Sequence, residues 1–223
     1  MFILENLTKT YRHRREAVHA LDRVSLGIEQ GSFVVITGAS GSAKTTLLLT
    51  LGGLIHPTSG VVNFRGKSLY SYSQNQLANY RNQTVGFVLQ TFNLVPYLTA
   101  LENVMVPMLP RKASVNNRRS RAAMLLEELG LDKRADFLPR ELSMGQQQRV
   151  AIARALANDP EVILADEPTG NLDPTLSFEI LEILRELNEH EERTVIIVTH
   201  SPQAAQKAKR TLRLSAGRIL SEE

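Results

Sequence analysis

The stretch Gly38-Ala39-Ser40-Gly41-Ser42-Ala43-Lys44-Thr45-Thr46 decides the fold. It follows the apolar run of residues 33–36, whose β-branched side chains predict a short buried strand. It precedes the apolar run of residues 47–51, which predicts a helix that ends at glycine. A strand, a glycine-rich turn and a helix N-terminus form the context of a phosphate-binding loop, because backbone N–H groups and the helix dipole both attract an anion.

One position departs from the pattern G-x-x-x-x-G-K-[ST], since Ala43 stands where the second glycine belongs. We expect a negative φ at this helix start, which suits alanine, but its methyl group is expected to press on the β-phosphate. Within the pattern, Lys44 would reach the β- and γ-phosphates and the Thr45 hydroxyl would hold Mg²⁺. The alternative is an ordinary turn rich in glycine and serine.

Length and composition limit the class of protein. The 223 residues allow one large α/β domain with an inserted lobe, and 43% hydrophobic with 22% charged residues is ordinary for a globular protein. A formal net charge of +3 is too small to argue for a nucleic-acid partner. The absence of cysteine excludes disulfides and thiolate chemistry and fits a cytosolic protein. We find no apolar run long enough for a membrane span and no signal-peptide pattern.

The N-terminal region predicts strands at residues 2–8 and 24–28. Between them lies the basic segment of residues 9–15, which predicts a solvated loop. The alternative for this segment is that Tyr11 stacks on a nucleotide base, because an aromatic face is a natural partner for adenine.

A strand at residues 85–89 ends at Gln90, which is either a polar boundary or a group that reaches a metal or a nucleophilic water. The following stretch, residues 92–157, contains three prolines in its first part and then helical periodicity. It predicts a helical lobe inserted into the α/β core. Ser143 precedes an apolar-periodic helix, so it is either a plain N-cap or part of a second phosphate-binding helix start.

Polar residues also follow two later apolar strands. The run 162–165 ends in Asp166 and Glu167, and acids at the end of a buried strand need a partner or a cation. Asp166 would face Mg²⁺ and Glu167 would orient or deprotonate water, the alternative being helix capping. A further strand at residues 194–199 ends at His200, at the sheet edge where open α/β folds bind ligands.

Taken together, these segments resemble the ATP-binding subunits of ABC transporters over nearly the whole chain. The matching segments, in family order, are Tyr11, GASGSAKTT (38–46), Gln90, LSMGQQQR (142–149), VILADEP (162–168), GNLD (170–173) and VTH (198–200). Two longer segments, FNLVPYLTALENVMVPM (92–108) and LADEPTGNLD (164–173), are similar to the lipoprotein-releasing and macrolide-export branch.

The resemblance implies an α/β fold: a P-loop NTPase core of the RecA type with a mostly parallel sheet, an antiparallel β subdomain and an inserted α-helical subdomain. It implies one ABC ATP-binding domain over residues 1–223, with the core at about 1–91 and 158–223 and the helical subdomain at about 92–157.

The resemblance also implies a site with ATP and Mg²⁺ as cofactors. The nucleotide would be held by Gly38, Ala39, Ser40, Gly41, Ser42, Ala43, Lys44, Thr45, Thr46, Gln90 and the adenine-stacking Tyr11. Mg²⁺ would be held or sensed by Thr45, Gln90 and Asp166. Catalysis would use Glu167 as general base, His200 at the γ-phosphate and Lys44 for charge stabilisation.

Two subunits would pair head to tail around two ATP molecules, each ATP touching Ser143, Gly145 and Gln146 of the partner subunit. Asp173 would lie in the D-loop. This homodimer would drive a separate transmembrane permease for export or lipoprotein release, from the cytoplasmic face of the membrane, with no direct membrane contact and no nucleic-acid partner. Met144 departs from the family glycine, and we expect its side chain to point away from the nucleotide. Ala43 leaves one alternative: a scaffold with weakened nucleotide binding that regulates a membrane partner.

Overall fold

The computed structural model describes residues 1–13, 16–111 and 114–222. The strands are β1 Phe2–His13, β2 Glu16–Ile28, β3 Phe33–Thr37, β4 Ser59–Phe64, β5 Lys67–Ser68, β6 Val85–Leu89, β7 Val162–Asp166, β8 Thr194–Thr199, β9 Arg210–Ser215 and β10 Arg218–Glu222. The α-helices are α1 Lys44–Leu51, α2 Gln74–Gln83, α3 Ala100–Met105, α4 Val115–Glu128, α5 Met144–Leu156, α6 Pro174–Glu189 and α7 Pro202–Gln206.

The central sheet has six strands in the order β10-β9-β3-β8-β7-β6. All neighbouring strands are parallel except β10, which pairs with β9 as the antiparallel hairpin at the end of the chain. The strands β3, β7 and β8 are buried on both faces, as expected for the middle of a parallel sheet covered by other layers. The prediction of a mostly parallel P-loop core is confirmed.

A second sheet of four strands, in the order β2-β1-β4-β5, is antiparallel throughout. The predicted basic loop at residues 9–15 is wrong where the structure describes it, because residues 9–13 continue β1 and pair with β2 as far as His13 opposite Glu16. The cause is cross-strand pairing: the threonines and Tyr11 favour a strand, and exposed basic side chains are tolerated on a sheet surface. Arg14 and Arg15 lie outside the described residues.

Helix α2 was not predicted, because only two of its side chains, Leu77 and Tyr80, are buried. Its start is fixed by a capping box in which the Ser73 hydroxyl accepts from the Gln76 N–H and the Gln76 amide oxygen accepts from the Ser73 N–H. The spacing S-x-x-Q was the available sequence signal for this helix.

Two apolar clusters cover the two faces of the central sheet. Alternate residues of β3 point to opposite faces, so Val35 joins one cluster and Val34 the other. The first cluster includes residues of α3, α4, α5 and α6. The second includes residues of α1, α2 and the antiparallel sheet. The helices α3–α5 therefore share their apolar core with the sheet that they are inserted into.

Parallel pairing brings the carboxyl ends of β3, β6, β7 and β8 to one edge of the sheet. Each strand is followed there by a residue that the sequence singled out: Gly38, Gln90, Glu167 and His200. Within the described ranges, no helix is both long enough and apolar enough to cross a membrane.

Candidate nucleotide site

A cleft of about 840 Å³ opens at the carboxyl edge of the sheet. It brings together most of the predicted phosphate loop and three residues that follow other strands. Its lining residues are Val18, His19, Ala20, Ser40, Gly41, Ser42, Ala43, Lys44, Thr45, Thr46, Gln90, Glu167, His200, Ala216 and Gly217.

The start of α1 has an unusual backbone. Ala43 is the N-cap residue with φ 76° and ψ 23°, so the expected negative φ is wrong and alanine holds a left-handed conformation that favours glycine. The reason is that the loop must turn sharply from residue 42 into the helix. The Ala43 methyl group packs against the apolar cluster on the α1 face of the sheet, while the residue also lines the cleft.

The loop has the polar features that an anion requires. No side chain caps the N-terminus of α1, which leaves its first N–H groups available to a ligand. The Ser42 hydroxyl is buried and has no hydrogen-bond partner among the described residues. At Gly38, a Cβ atom would lie 2.2 Å from the Leu214 carbonyl oxygen, so only glycine fits there. These observations fit a phosphate group.

Lys44 lies across this loop with its side chain almost fully buried. Its Nζ donates to the carbonyl oxygens of Gly38 at 2.8 Å and Ala39 at 3.2 Å, and lies 3.8 Å from Glu167 Oε1. The ammonium group therefore sits between the loop and the acid after β7. In this structure the loop's own carbonyl groups take the hydrogen bonds that Lys44 could give to a phosphate.

Thr45 lines the cleft, and its hydroxyl donates to Asp166 Oδ1 at 3.0 Å, although Asp166 itself is not among the lining residues. Burial raises the pKa of Asp166, the nearby Glu167 carboxylate adds to that rise, and the Thr45 hydrogen bond and Lys44 oppose it. A bound cation would relieve the cost of the ionised form. The described residues contain no cluster of three His, Cys, Asp or Glu side chains for a metal, but Mg²⁺ commonly takes one or two protein ligands plus substrate phosphates.

Glu167 is held rigidly at the end of β7. Its φ is 45°, and its N–H donates to the Val198 carbonyl oxygen at 2.8 Å. Its carboxylate accepts the Thr199 hydroxyl at 2.8 Å and the His200 N–H at 3.2 Å. The His200 Nδ1 lies 2.9 Å from Glu167 Oε1 and donates to it, because an ionised carboxylate only accepts. The His200 side chain is otherwise 68% exposed toward the cleft.

Gln90 and Asp173 belong to the neighbouring turns. The Gln90 carbonyl oxygen accepts from Asn171 Nδ2 at 3.0 Å, which ties the end of β6 to the turn after β7. A Cβ atom on Gly170 would lie 3.0 Å from Gln90 Nε2, so this turn approaches Gln90 closely. Asp173 caps α6, its Oδ1 accepting from Thr175 N at 2.9 Å and Leu176 N at 3.0 Å.

Tyr11 is not among the cleft-lining residues, although its cross-strand partner Val18 is. The Tyr11 ring is 43% exposed, and Lys9 Nζ lies 5.1 Å from the ring centroid. Sequence reasoning missed five residues that line the cleft at this end: Val18, His19, Ala20, Ala216 and Gly217. They come from β2 and the turn between β9 and β10, and their sequence carries no motif that could have identified them.

The predicted signature residues lie apart from this cleft. Ser143 caps α5 through a reciprocal pair of hydrogen bonds with Gln146, at 3.3 Å and 3.0 Å. Gly145 is buried against Leu176 of α6, whereas the Met144 side chain is 54% exposed. Within one chain, the structure therefore does not bring Ser143, Gly145 and Gln146 to the phosphate loop.

Comparison with known sequences identifies one matching family model and individual relatives. A family model described as ABC transporter matches residues 21–170. The macrolide export ATP-binding/permease protein MacB of Syntrophobacter fumaroxidans is 47% identical over 98% of this chain, which spans 31% of that protein. The lipoprotein-releasing system ATP-binding protein LolD of Syntrophus aciditrophicus is 43% identical over 99% of both chains.

Among solved structures, the ATP-binding cassette MJ0796, whose sequence is from Methanocaldococcus jannaschii, matches closely. Its dimeric post-hydrolysis structure bound to ADP and Pi superposes with a TM-score of 0.93 and 44% identity, covering 100% of this chain and 98% of that one. This chain therefore shares its fold, over its whole length and at 44% identity, with a protein whose structure contains bound ADP and Pi.

Proposed function

The chain belongs to the ABC transporter family as an ATP-binding cassette, that is, an ABC ATPase, and we propose that it works as a homodimer that drives a separate membrane permease. One observation carries the proposal: the cleft joins the phosphate loop to Glu167, His200 and Gln90, the groups that hydrolysis of a bound triphosphate requires. The relatives named for lipoprotein release and macrolide export support an exporting permease as the partner.

For binding, we propose that residues 38–46 hold the phosphates, with Lys44 exchanging its bonds to the loop carbonyls for bonds to the β- and γ-phosphates. Tyr11 stacks on the adenine beside Val18. Thr45, Gln90 and Asp166 are the proposed Mg²⁺ ligands, and the hydroxyl–carboxylate pair of Thr45 and Asp166 fits a hard cation. When bound, the cation would neutralise charge on the phosphates.

For hydrolysis, we propose that Glu167 accepts the proton of the attacking water while Lys44 stabilises the negative charge that develops on the phosphates. The fixed orientation of the Glu167 carboxylate, from Thr199 and the His200 N–H, supports this role. His200 now donates through Nδ1 to Glu167, so its proposed contact with the γ-phosphate requires that the ring leave Glu167 or carry a second proton at Nε2.

For assembly, we propose that Ser143, Gly145 and Gln146 contact the ATP of the partner subunit, with Asp173 at the same interface. The distance of these residues from the cleft of their own chain supports a second copy as the occupant. We further propose that residues 92–157 act as a helical lobe on a core of residues 1–91 and 158–223.

The proposed permease contact is a groove of about 310 Å³ beside Gln90. Its apolar side comes largely from β6, including Phe87 and Leu89. Its polar side includes Asn82 of α2 and Arg154 of α5. Arg154 donates to the carbonyl oxygens of Phe92 at 2.6 Å and Asn93 at 2.5 Å, so the polar side connects directly to the segment after Gln90. Through this contact the cassette would work on the cytoplasmic face of the membrane. A net charge of +3 and nearly balanced acids and bases give no support to a nucleic-acid partner.

The first test is ATP binding to the purified chain with Mg²⁺, measured beside the Ala43→Gly variant. Because the Ala43 methyl group packs against the apolar cluster, we expect the two affinities to agree within about threefold. Steady-state hydrolysis should then be measurable, and Glu167→Gln should lower kcat by about 100- to 10,000-fold while ATP binding is retained.

Binding that appears only in the glycine variant would reject the ATPase proposal for this chain. The alternative of a regulatory scaffold predicts permease binding without nucleotide binding or turnover, and nothing in the comparisons favours it.

A further inference from the structure

Gln148 is a fully buried polar residue that takes no direct part in the proposed binding and hydrolysis steps. It lies in the second turn of α5, and its Nε2 donates to the Pro168 carbonyl oxygen at 2.6 Å. Its Oε1 is buried with no hydrogen-bond partner among the described residues. An unpaired buried oxygen costs stability, so a purely structural position would favour an apolar side chain of the same size.

The bond to Pro168 is next to the proposed general base. Glu167 holds a left-handed backbone, and its carbonyl oxygen accepts from the Gly170 N–H at 3.0 Å, which closes a tight turn. On one side this turn is fixed by β8, through the bond from Glu167 N to Val198 O. On the other side it is fixed by α5, through Gln148. Because proline has no N–H, the Pro168 carbonyl is the backbone group of that residue available for such a bond.

A second contact joins the same two segments. Gly145 packs so closely on α6 that a Cβ atom there would lie 3.0 Å from Leu176 Cδ2. Leu176 in turn is placed by the Asp173 cap of α6, whose segment begins directly after the Glu167 turn. The first two turns of α5 are therefore connected to residues 167–176 at both Gly145 and Gln148.

We propose that Gln148 is a positioning residue that couples the two ATP sites of the dimer. This inference rests on the proposed function, in which residues 143–146 touch the partner subunit's ATP and Glu167 acts on the ATP of its own subunit. When the start of α5 seats on the partner's nucleotide, Gln148 transmits that position to Pro168 and so aligns Glu167 for the attacking water. Each site then becomes active only when the other is filled.

The test compares Gln148→Met, which keeps the shape and removes the donor, with Gln147→Met as a matched control on the same helix. Gln147 is half-buried, and its Nε2 donates to the Leu142 carbonyl oxygen at 3.0 Å, away from the Glu167 turn. We expect Gln148→Met to lower kcat by about 10- to 100-fold with little change in ATP affinity or KM, and to lower the Hill coefficient for ATP toward one. Gln147→Met should stay close to the unaltered protein.

Thermal unfolding of both variants shows that each is folded at the assay temperature. Equal losses of kcat in the two variants, or a rise in KM at constant kcat, would overturn the proposal, since these results indicate a general effect on α5 or on binding.

Mixed dimers give a sharper test, because they separate effects within a subunit from effects across the interface. In one mixture, a Gln148→Met subunit pairs with a Glu167→Gln subunit, so that the remaining base is on the same chain as the Gln148→Met change. In the other, a subunit carrying both changes pairs with an unaltered subunit. We expect the first dimer to be slow and the second to match a dimer of unaltered and Glu167→Gln subunits.

The reverse pattern would assign Gln148 to the contact with the partner's nucleotide and overturn the proposal. If the unaltered protein itself fails to hydrolyse ATP, the proposed function fails first, and this result is distinct from either pattern.

Discussion

Two helix starts in this molecule, both proposed to contact phosphate, are built differently. Helix α1 begins at Ala43, which has a left-handed backbone and no side-chain cap. Helix α5 begins at Ser143, whose hydroxyl accepts from Gln146 N while the Gln146 side chain accepts from Ser143 N. The first start leaves its N–H groups to a ligand, and the second satisfies its own.

This difference indicates separate roles for the two helix starts. An uncapped start with a buried ammonium, from Lys44, gains most of its stabilisation when an anion arrives. A capped start keeps its shape in the absence of ligand, which suits the proposed contact of this segment with a nucleotide held by another chain. The exposed Met144 side chain at that start is directed to solvent in the single chain.

The largest expected effect comes from removing the charge at the uncapped start. Lys44→Met should weaken ATP binding by about 10- to 100-fold, because charge-assisted hydrogen bonds to the phosphates are lost. Calorimetric or fluorescence titration with ATP measures this directly. Ser143→Ala, at the other start, should leave ATP binding to the separated subunit unchanged. An equal loss of ATP affinity in both variants would contradict separate roles for the two helix starts.

A second effect concerns stability at the capped start. Ser143→Ala should lower the free energy of unfolding by about 1 kcal/mol, because the Gln146 N–H loses the hydroxyl that accepts from it and the reciprocal bond from the N–H of residue 143 to Gln146 Oε1 loses its support. The matched control is Ser114→Ala at the start of α4, where the hydroxyl accepts from Asn117 N without the reciprocal bond. Urea unfolding should show a smaller loss there. A loss at Ser143 below that at Ser114 would argue against the reciprocal cap.

A third effect concerns the acid beside the uncapped start, and it depends on pH. The pKa of Asp166 is raised from 3.8 in the folded state, so the folded chain binds this proton more tightly than the unfolded chain. The free energy of unfolding of the ligand-free protein should therefore fall as the pH rises from the pKa that Asp166 has in the unfolded chain to the higher pKa that it has in the folded chain. Asp166→Asn should remove this contribution to the pH dependence of the free energy of unfolding. Thermal unfolding at several pH values checks the sign, and a steeper slope in the variant would refute it.

The smallest expected effect is on stability at Ala43. Glycine relieves the left-handed backbone, but it loses the packed methyl group and gains freedom in the unfolded chain. These contributions oppose each other, so Ala43→Gly should change the free energy of unfolding by no more than about 0.5 kcal/mol. Chemical denaturation measures it, and a gain above 1 kcal/mol would mean that strain dominates packing.

Most of the cleft was predictable because its residues follow buried strands. Gln90, Glu167 and His200 each stand after an apolar run, and parallel strands bring their carboxyl ends to one edge. Helix α2 was missed because it buries only Leu77 and Tyr80, too few for a periodic pattern. The extension of β1 through Tyr11 was missed because pairing with β2 outweighed the local run of basic residues.

The sequence by itself determined the family, the order of the strands and helices that carry the motifs, and the residues expected to bind and hydrolyse ATP. These follow from local spacing and apolar runs, which short segments record. Only the tertiary structure decided that Ala43 adopts a positive φ, that Gln148 reaches Pro168, and that the turn between β9 and β10 lines the cleft. Such features depend on contacts between segments that are far apart in the sequence. The residues on either side of each position therefore do not reveal them.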